Sequence, residues 1–297
     1  TSGDVVVVGG TLSAISGTGL TRTAVFTPTA NQGSGTASIT VTGNSYQDTA
    51  GNNGAAGTTP TLNLDTLAPT ITSLALTGST GGLTSASDAT INNLNASDTL
   101  SATVTFNDVI TVNTSGGTPY LALNVGGTSV QAAYVSGSGS NALVFTATIA
   151  NGQNDINGVA MGADALNLNG GTLKDASGNN STLTSVAVTG NAHYLVDTTR
   201  PTAAVRSSTS ALISGQTATI TFTFSEDPGS SFVWDGTSGD LVVTGGTLSA
   251  LSTTGNPLTR TALLTPTSGV SAGTANVAIT LNSYTDAAGN IGQEASA

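Results

Sequence analysis

The sequence predicts an all-β chain, built as successive antiparallel sandwiches in a row. Apolar residues alternate with Thr and Ser. Ala218, Ile220, Phe222 and Phe224 alternate with Thr217, Thr219, Thr221 and Thr223; Leu100, Ala102, Val104 and Phe106 alternate with Thr99, Ser101, Thr103 and Thr105. A period of two with one apolar side is the pattern of a half-buried strand. Charged residues are only 7% of the chain, so its polar surface is Thr, Ser, Asn and Gly, which favour strands and turns. The beginning of the chain also repeats its end, as arrays of like modules do.

The elements follow in order. The first stretch opens SGDVVVVGGTLSAI at Ser2, passes through LTRTAVFTPT and closes NSYQDTAGN at Asn52. The last stretch repeats it as SGDLVVTGGTLSAL from Ser238, LTRTALLTPT and NSYTDAAGN to Asn290. Further strands are expected at 120–125, 130–135, 143–149, 241–244, 262–264 and 277–281, separated by Gly, Asn and Ser clusters. The inward set is expected to include Ile220, Phe222, Phe224, Val277 and Ile279, and in the middle Val104, Phe106, Leu123 and Val144. No segment reads as a helix.

Two linkers punctuate the chain. LDTLAPTITSL at 64–74 matches VDTTRPTAAV at 196–205, with Asp65 before Pro69 as Asp197 stands before Pro201. Proline suits an edge strand entering a new domain. The modules are therefore 1–64, 65–196 and 197–297. The first reads as incomplete, because it lacks a counterpart of 197–237, and its exposed strand edge would invite partners.

The phrases DTTRPT, ITFTFSED, VTGGTLSAL, LTPT and NSYTDAAGN resemble the bacterial immunoglobulin-like tandem repeats of large surface adhesins and biofilm-associated proteins. The middle stretch is similar to a longer variant, with GTPYLALNVGG, NALVFTATIA, GQNDINGVAM and GGTLKDASGN. The resemblance implies a secreted or cell-surface fibre of Ig-like modules that often binds calcium near its junctions.

Each module ends in an acidic turn: QDTAGN at 47–52, KDASGN at 174–179 and TDAAGN at 285–290. In an Ig sandwich the second strand ends, and the last begins, at the pole where the chain enters. That gathers Asp197, Glu226, Asp227, Asp286 and Asn290 in the third module, and Asp65, Asp108, Asp175 and Asn179 in the middle one. Oxygen ligands grouped this way suit Ca²⁺, which takes 6–8 of them at roughly 2.3–2.6 Å. The competing reading is turn chemistry, with Asp and Asn capping and Gly289 supplying a positive φ. Asn154, Asp155, Asn157 and Gly158 form a second oxygen-rich loop without the closing Glu of an EF-hand, and read as a solvated loop.

Other chemistry is sparse. The net charge of −11, with five Lys and Arg, excludes a basic footprint for nucleic acid and disfavours an anionic membrane. There is no Cys, hence no disulfide or thiolate zinc site. No apolar run approaches the roughly 18–20 residues of a membrane span. His193 is the sole histidine and reads as a plain strand residue; Lys174 is the sole lysine; Trp234 is the sole tryptophan and reads as core.

The leading expectation is a non-enzymatic stalk of an extracellular adhesin or biofilm-matrix fibre, stiffened by Ca²⁺ and touching neighbouring modules of its own chain. The alternatives are a subunit of a self-assembling filament or surface layer, with identical chains as partners, and a carbohydrate-binding module.

Overall fold

A computed structural model describes residues 3–84 and 92–296. Among them there is no helix, so none is long and apolar enough to cross a membrane, and the strands form several separate sheets. The all-β Ig-like class read from the alternation is the class observed.

In the middle stretch, Thr99–Asn113 is the spine. It pairs antiparallel with Ser140–Thr148 and Ile71–Thr80, and near its end with Thr172–Lys174. Tyr120–Val125, Thr128–Ser136 and Ala160–Asn167 extend that sheet. A small second sheet holds Tyr194–Val196 parallel to Asn92–Leu94. Leu100, Ala102, Val104 and Phe106 are all buried, as their alternation requires, and pack with Leu121, Leu123, Leu143 and Phe145.

One register read from the sequence is corrected. Val144 is only half-buried, and its neighbours Leu143 and Phe145 fill the core instead. The strand offers four apolar residues in succession, Ala142 to Phe145, so period alone does not choose the face. Pairing decides: Leu143 lies opposite Val104 and Phe145 opposite Ala102, both inward-facing.

The third stretch has a larger sheet in the order Ala203–Ser207, Ala218–Phe224, Thr259–Pro266, Gly246–Leu248, and a second pair, Leu241–Thr244 with Asn276–Ile279. Between them sits an aromatic cluster. Phe224 meets Phe232 at 4.8 Å and Tyr284 at 5.3 Å, both edge-on. Such pairs contribute about 0.5–1.5 kcal/mol beyond the area they bury. Trp234 lies half-buried against this core rather than inside it, its indole N–H donating to the Leu248 carbonyl at 3.5 Å.

The first stretch copies the second half of the third, register for register. Val5 opposes Val41 and Val7 opposes Ile39, as Leu241 opposes Ile279 and Val243 opposes Val277. Leu12 opposes Phe26 as Leu248 opposes Leu264. Its interior differs: among the described residues of 3–64, Ala37 is the one buried hydrophobic side chain.

Candidate metal centre

The three acidic turns are one structure repeated. The Oδ1 of Asp48, Asp175 and Asp286 accepts the main-chain N–H of Asn52, Asn179 and Asn290 at 2.9, 2.8 and 2.9 Å. The Oδ2 of each Asp accepts the side-chain amide of the same Asn at 2.8, 2.8 and 2.9 Å. Gly51, Gly178 and Gly289 all take a positive φ in between, a conformation that glycine adopts without steric cost. The turn chemistry read from the sequence is thus present at all three places.

Two of the turns also hold the linker. Asn290 donates to the main-chain carbonyl of Asp197 at 2.9 Å, and Asn179 to that of Asp65 at 3.2 Å. In the middle stretch Ser177 adds a bond from its hydroxyl to Asp65 Oδ2 at 2.9 Å. In the third stretch the linker carboxylate meets other acids instead. Among the described residues, Asp197, Glu226 and Asp286 form one group whose ligand oxygens all lie within 4.8 Å of one another. Two oxygens bound to a single Ca²⁺ at roughly 2.3–2.6 Å are at most about 5 Å apart, so the group is compact enough for one ion.

Its electrostatics agree. Glu226 is pushed up to about 7, first by burial, then by the charges of Asp197 and Asp286, and by a hydrogen bond shared with the Asp197 carboxyl. Asp286 is raised mainly by burial, against the opposing bonds of its own turn and with help from Asp197. The contrast with Asp175 is informative. Burial raises it as well, but the bonds from Asn179, Ser177 and Gly178 outweigh burial and hold it below the usual range. The same turn is electrostatically satisfied in one module and short of positive charge in the other. A carboxylate has about four lone-pair sites. Asp286 spends three on Ala288 N–H, Asn290 N–H and the Asn290 amide, which leaves one for a cation.

The remaining candidates have other partners. Asp227 is exposed; its Oδ1 accepts Gly229 N–H at 2.9 Å and faces Arg260 at 3.5 Å. Asn290 turns its nitrogen, not its oxygen, toward Asp286 and Asp197. Asp108 follows Phe106 as Glu226 follows Phe224, but lies exposed at a bulge, accepting the N–H of its own neighbour Val109. The structure therefore brings Asp65 to the Asp175–Asn179 turn and leaves Asp108 outside it.

The loop at 154–158 leaves Asn154, Ile156 and Asn157 exposed, and it also fastens the linker. Asp155 is buried, accepts Gly126 N–H at 2.7 Å, and exchanges main-chain bonds with Val196. Asn154 Oδ1 accepts Thr198 N–H at 2.7 Å, and Gly152 N–H donates to the Thr198 hydroxyl at 2.8 Å. Across the same junction, the Asn95 amide donates to the Ala288 carbonyl at 2.9 Å, inside the acidic turn of the next module. Sequence reading missed Asn95, Asn154 and Thr198 as junction residues. No spacing or charge marks them; only the pairing of distant loops does. His193 is exposed in the turn before Tyr194–Val196.

Residues 1–66 and 197–297, more than half of the chain, match the family model described as a bacterial Ig-like domain, and the chain belongs to that family. Domains of this kind are typically structural rather than enzymatic and occur in bacterial surface or extracellular proteins. No curated protein and no solved structure matches the chain.

Proposed function

We propose that this chain is a stretch of an extracellular bacterial fibre, serving adhesion or a biofilm matrix, in which Ca²⁺ sets the rigidity of the junction between modules. One observation carries the reading: linker residue Asp197 shares its carboxylate group with Glu226 and Asp286, next to the Asn95–Ala288 contact from the preceding module. Bound there, the ion would supply the positive charge that the group lacks. Asp197, Glu226 and Asp286 would hold it, with Asn290 positioning Asp286 and the linker. Extracellular calcium-binding modules in general have dissociation constants on the order of 10⁻⁴–10⁻³ M, and an affinity in that range is expected here.

The junction is already tied by Thr198 and Asn95, so the ion acts on a prepared hinge. Weak contacts by many such modules would combine through multivalency. Small-angle scattering of the chain with and without Ca²⁺ tests the reading. A longer maximum dimension and a narrower distance distribution with Ca²⁺ support it; identical curves over a saturating range contradict it.

A further inference from the structure

The single tryptophan of the chain stands at the margin of a core that other aromatics fill. Phe222, Phe224, Phe232 and Tyr284 are buried in the third stretch, while Trp234 packs against them half-buried. A half-wet indole suits a binding surface, where one part meets apolar atoms and the other meets water. The chain around it is closely bonded. The Trp234 carbonyl accepts Leu251 N–H at 3.2 Å, and the indole N–H reaches the Leu248 carbonyl at 3.5 Å. The next residues turn tightly, Asp235 N–H donating to the Ser238 carbonyl at 3.1 Å. Asp235 Oδ1 accepts the N–H groups of Ser238 and Thr237, both at 2.7 Å, and the Thr237 hydroxyl at 2.8 Å. Below the turn, Asp240 N–H returns to the Val233 carbonyl at 2.8 Å. The ring is thus presented by a preorganised hairpin, and little ordering entropy is lost when a ligand meets it.

Two open grooves meet at Trp234. One, of about 570 Å³, is lined by Phe232, Val233, Asp235, Leu251, Thr253 and Arg260. The other, of about 530 Å³, is lined by Thr237, Ser238, Val242, Val243 and Thr247. Both volumes fall in the range of roughly 300–1,000 Å³ typical of small-ligand sites. An indole with a groove on either side suits a ligand that continues past it. The walls mix exposed apolar side chains, Val233 and Val242, with the hydroxyl-bearing Thr237, Thr247 and Thr253. A pyranose has the same two-sided chemistry. Its C–H face is apolar and slightly positive, matching the negative face of an aromatic ring, and its hydroxyl rim forms hydrogen bonds.

Charge narrows the class. Arg260 is committed to the carbonyls of Pro257 at 2.7 Å and Thr259 at 3.2 Å, and it faces Asp227 at 3.5 Å. Asp235 has no cationic partner among the described residues. The bonds from Ser238 and Thr237 hold its carboxyl well below the usual carboxylate range, so it stays ionised. Its Oδ2 accepts the Ser238 hydroxyl at 3.0 Å and keeps a lone pair for a further donor. In a chain of net charge −11, this groove repels polyanions.

We propose that the Trp234 hairpin is a binding site for an uncharged polysaccharide, whose chain crosses the indole and runs along both grooves. One pyranose stacks on Trp234, a sugar hydroxyl donates to Asp235 Oδ2, and Thr253 and Thr247 flank the two sides. The site names a ligand class for the adhesion proposed above and makes no use of the cation.

The test uses the intact chain in chelator, so that a failure of calcium binding leaves the result untouched. Cellohexaose and chitohexaose, both uncharged, are titrated against the fluorescence of Trp234, with a hexauronate as the anionic comparator. Saturation-transfer NMR of the sugar reads the variants without relying on the indole. At least one uncharged hexaose should bind saturably, and the hexauronate should not. Trp234→Ala should weaken binding about tenfold or more, the loss of a stacked ring. Thr253→Glu and Thr247→Glu alter exposed groove walls and leave the core intact, so they separate lost binding from lost folding. Each should weaken binding about threefold or more with the unfolding curve unchanged. The proposal is overturned if neither uncharged hexaose binds, if the hexauronate binds as tightly, or if the Trp234 and groove-wall variants bind like the parent chain.

Discussion

The side-chain amide of Asn290 reaches back 93 residues to the main-chain carbonyl of Asp197, at 2.9 Å. That single bond ties the closing turn of a module to the linker that opens it, and it places Asp286 beside Asp197. Asn179 makes the same tie to Asp65 across 114 residues. The repeated phrase ending Gly-Asn is therefore a clasp on the linker as well as a turn.

Removing the clasp has a measurable cost. Asn290→Ala leaves the Asp197 carbonyl and one Asp286 oxygen without a buried donor, which should destabilise the third stretch by about 1–3 kcal/mol. Urea unfolding followed by the fluorescence of Trp234, the only Trp, reports on that stretch. Asn52→Ala removes the analogous amide from an exposed turn and should change stability by less than about 0.5 kcal/mol.

Glu226 makes stability depend on pH with a defined sign. Its folded value, about 7, lies above the ordinary 4.5, so between those limits the folded chain holds more protons than the unfolded one. The stability it contributes is fully present below about pH 4.5 and is lost as pH rises through about 7. Without divalent cation, the Trp234-monitored melting temperature should fall from pH 5 to pH 8. Glu226→Gln should flatten that fall and raise the melting temperature at pH 8 in chelator. A profile identical to the parent chain would show that the carboxylates do not repel as placed.

Gly292 and Gly54 provide a paired test of packing. A Cβ at either position would sit 2.1 Å from the ring of Tyr284 or Tyr46. Tyr284 is locked in the aromatic cluster, while Tyr46 is half-exposed and free to turn aside. Gly292→Ala should destabilise by about 1–3 kcal/mol, the usual cost of overpacking. Gly54→Ala should be nearly silent. Equal effects would mean that the first stretch is closed in solution.

The strand faces were legible wherever apolar and polar residues alternated cleanly, as along Leu100 to Phe106 and Ala218 to Phe224. Legibility failed at Val144, where Leu143, Val144 and Phe145 are all apolar and only the cross-strand partner Val104 settles the face. Phe145→Ala should cost about 3–5 kcal/mol, and Val144→Ala clearly less. The acidic turns were legible because Asp, Gly and Asn repeat at fixed spacing. Their electrostatic inequality was not. In Asp286 burial outweighs the bonds of the turn and in Asp175 it does not, and a third carboxylate joins the group only where the residue after the second strand turns inward, as Glu226 does, rather than sitting out on a bulge, as Asp108 does. Side-chain direction at a bulge follows from backbone geometry that composition does not encode.

The most direct measurement of the central claim is calcium-dependent unfolding of the third stretch, read through Trp234 at pH 8. For a dissociation constant on the order of 10⁻⁴–10⁻³ M, 10 mM Ca²⁺ should stabilise the parent chain by about 1.4–2.7 kcal/mol. Glu226→Gln should lose most of that gain, and Asp227→Asn should keep it, because Asp227 faces Arg260 and not the carboxylate group. An equal calcium response in the parent chain and in Glu226→Gln would contradict the account.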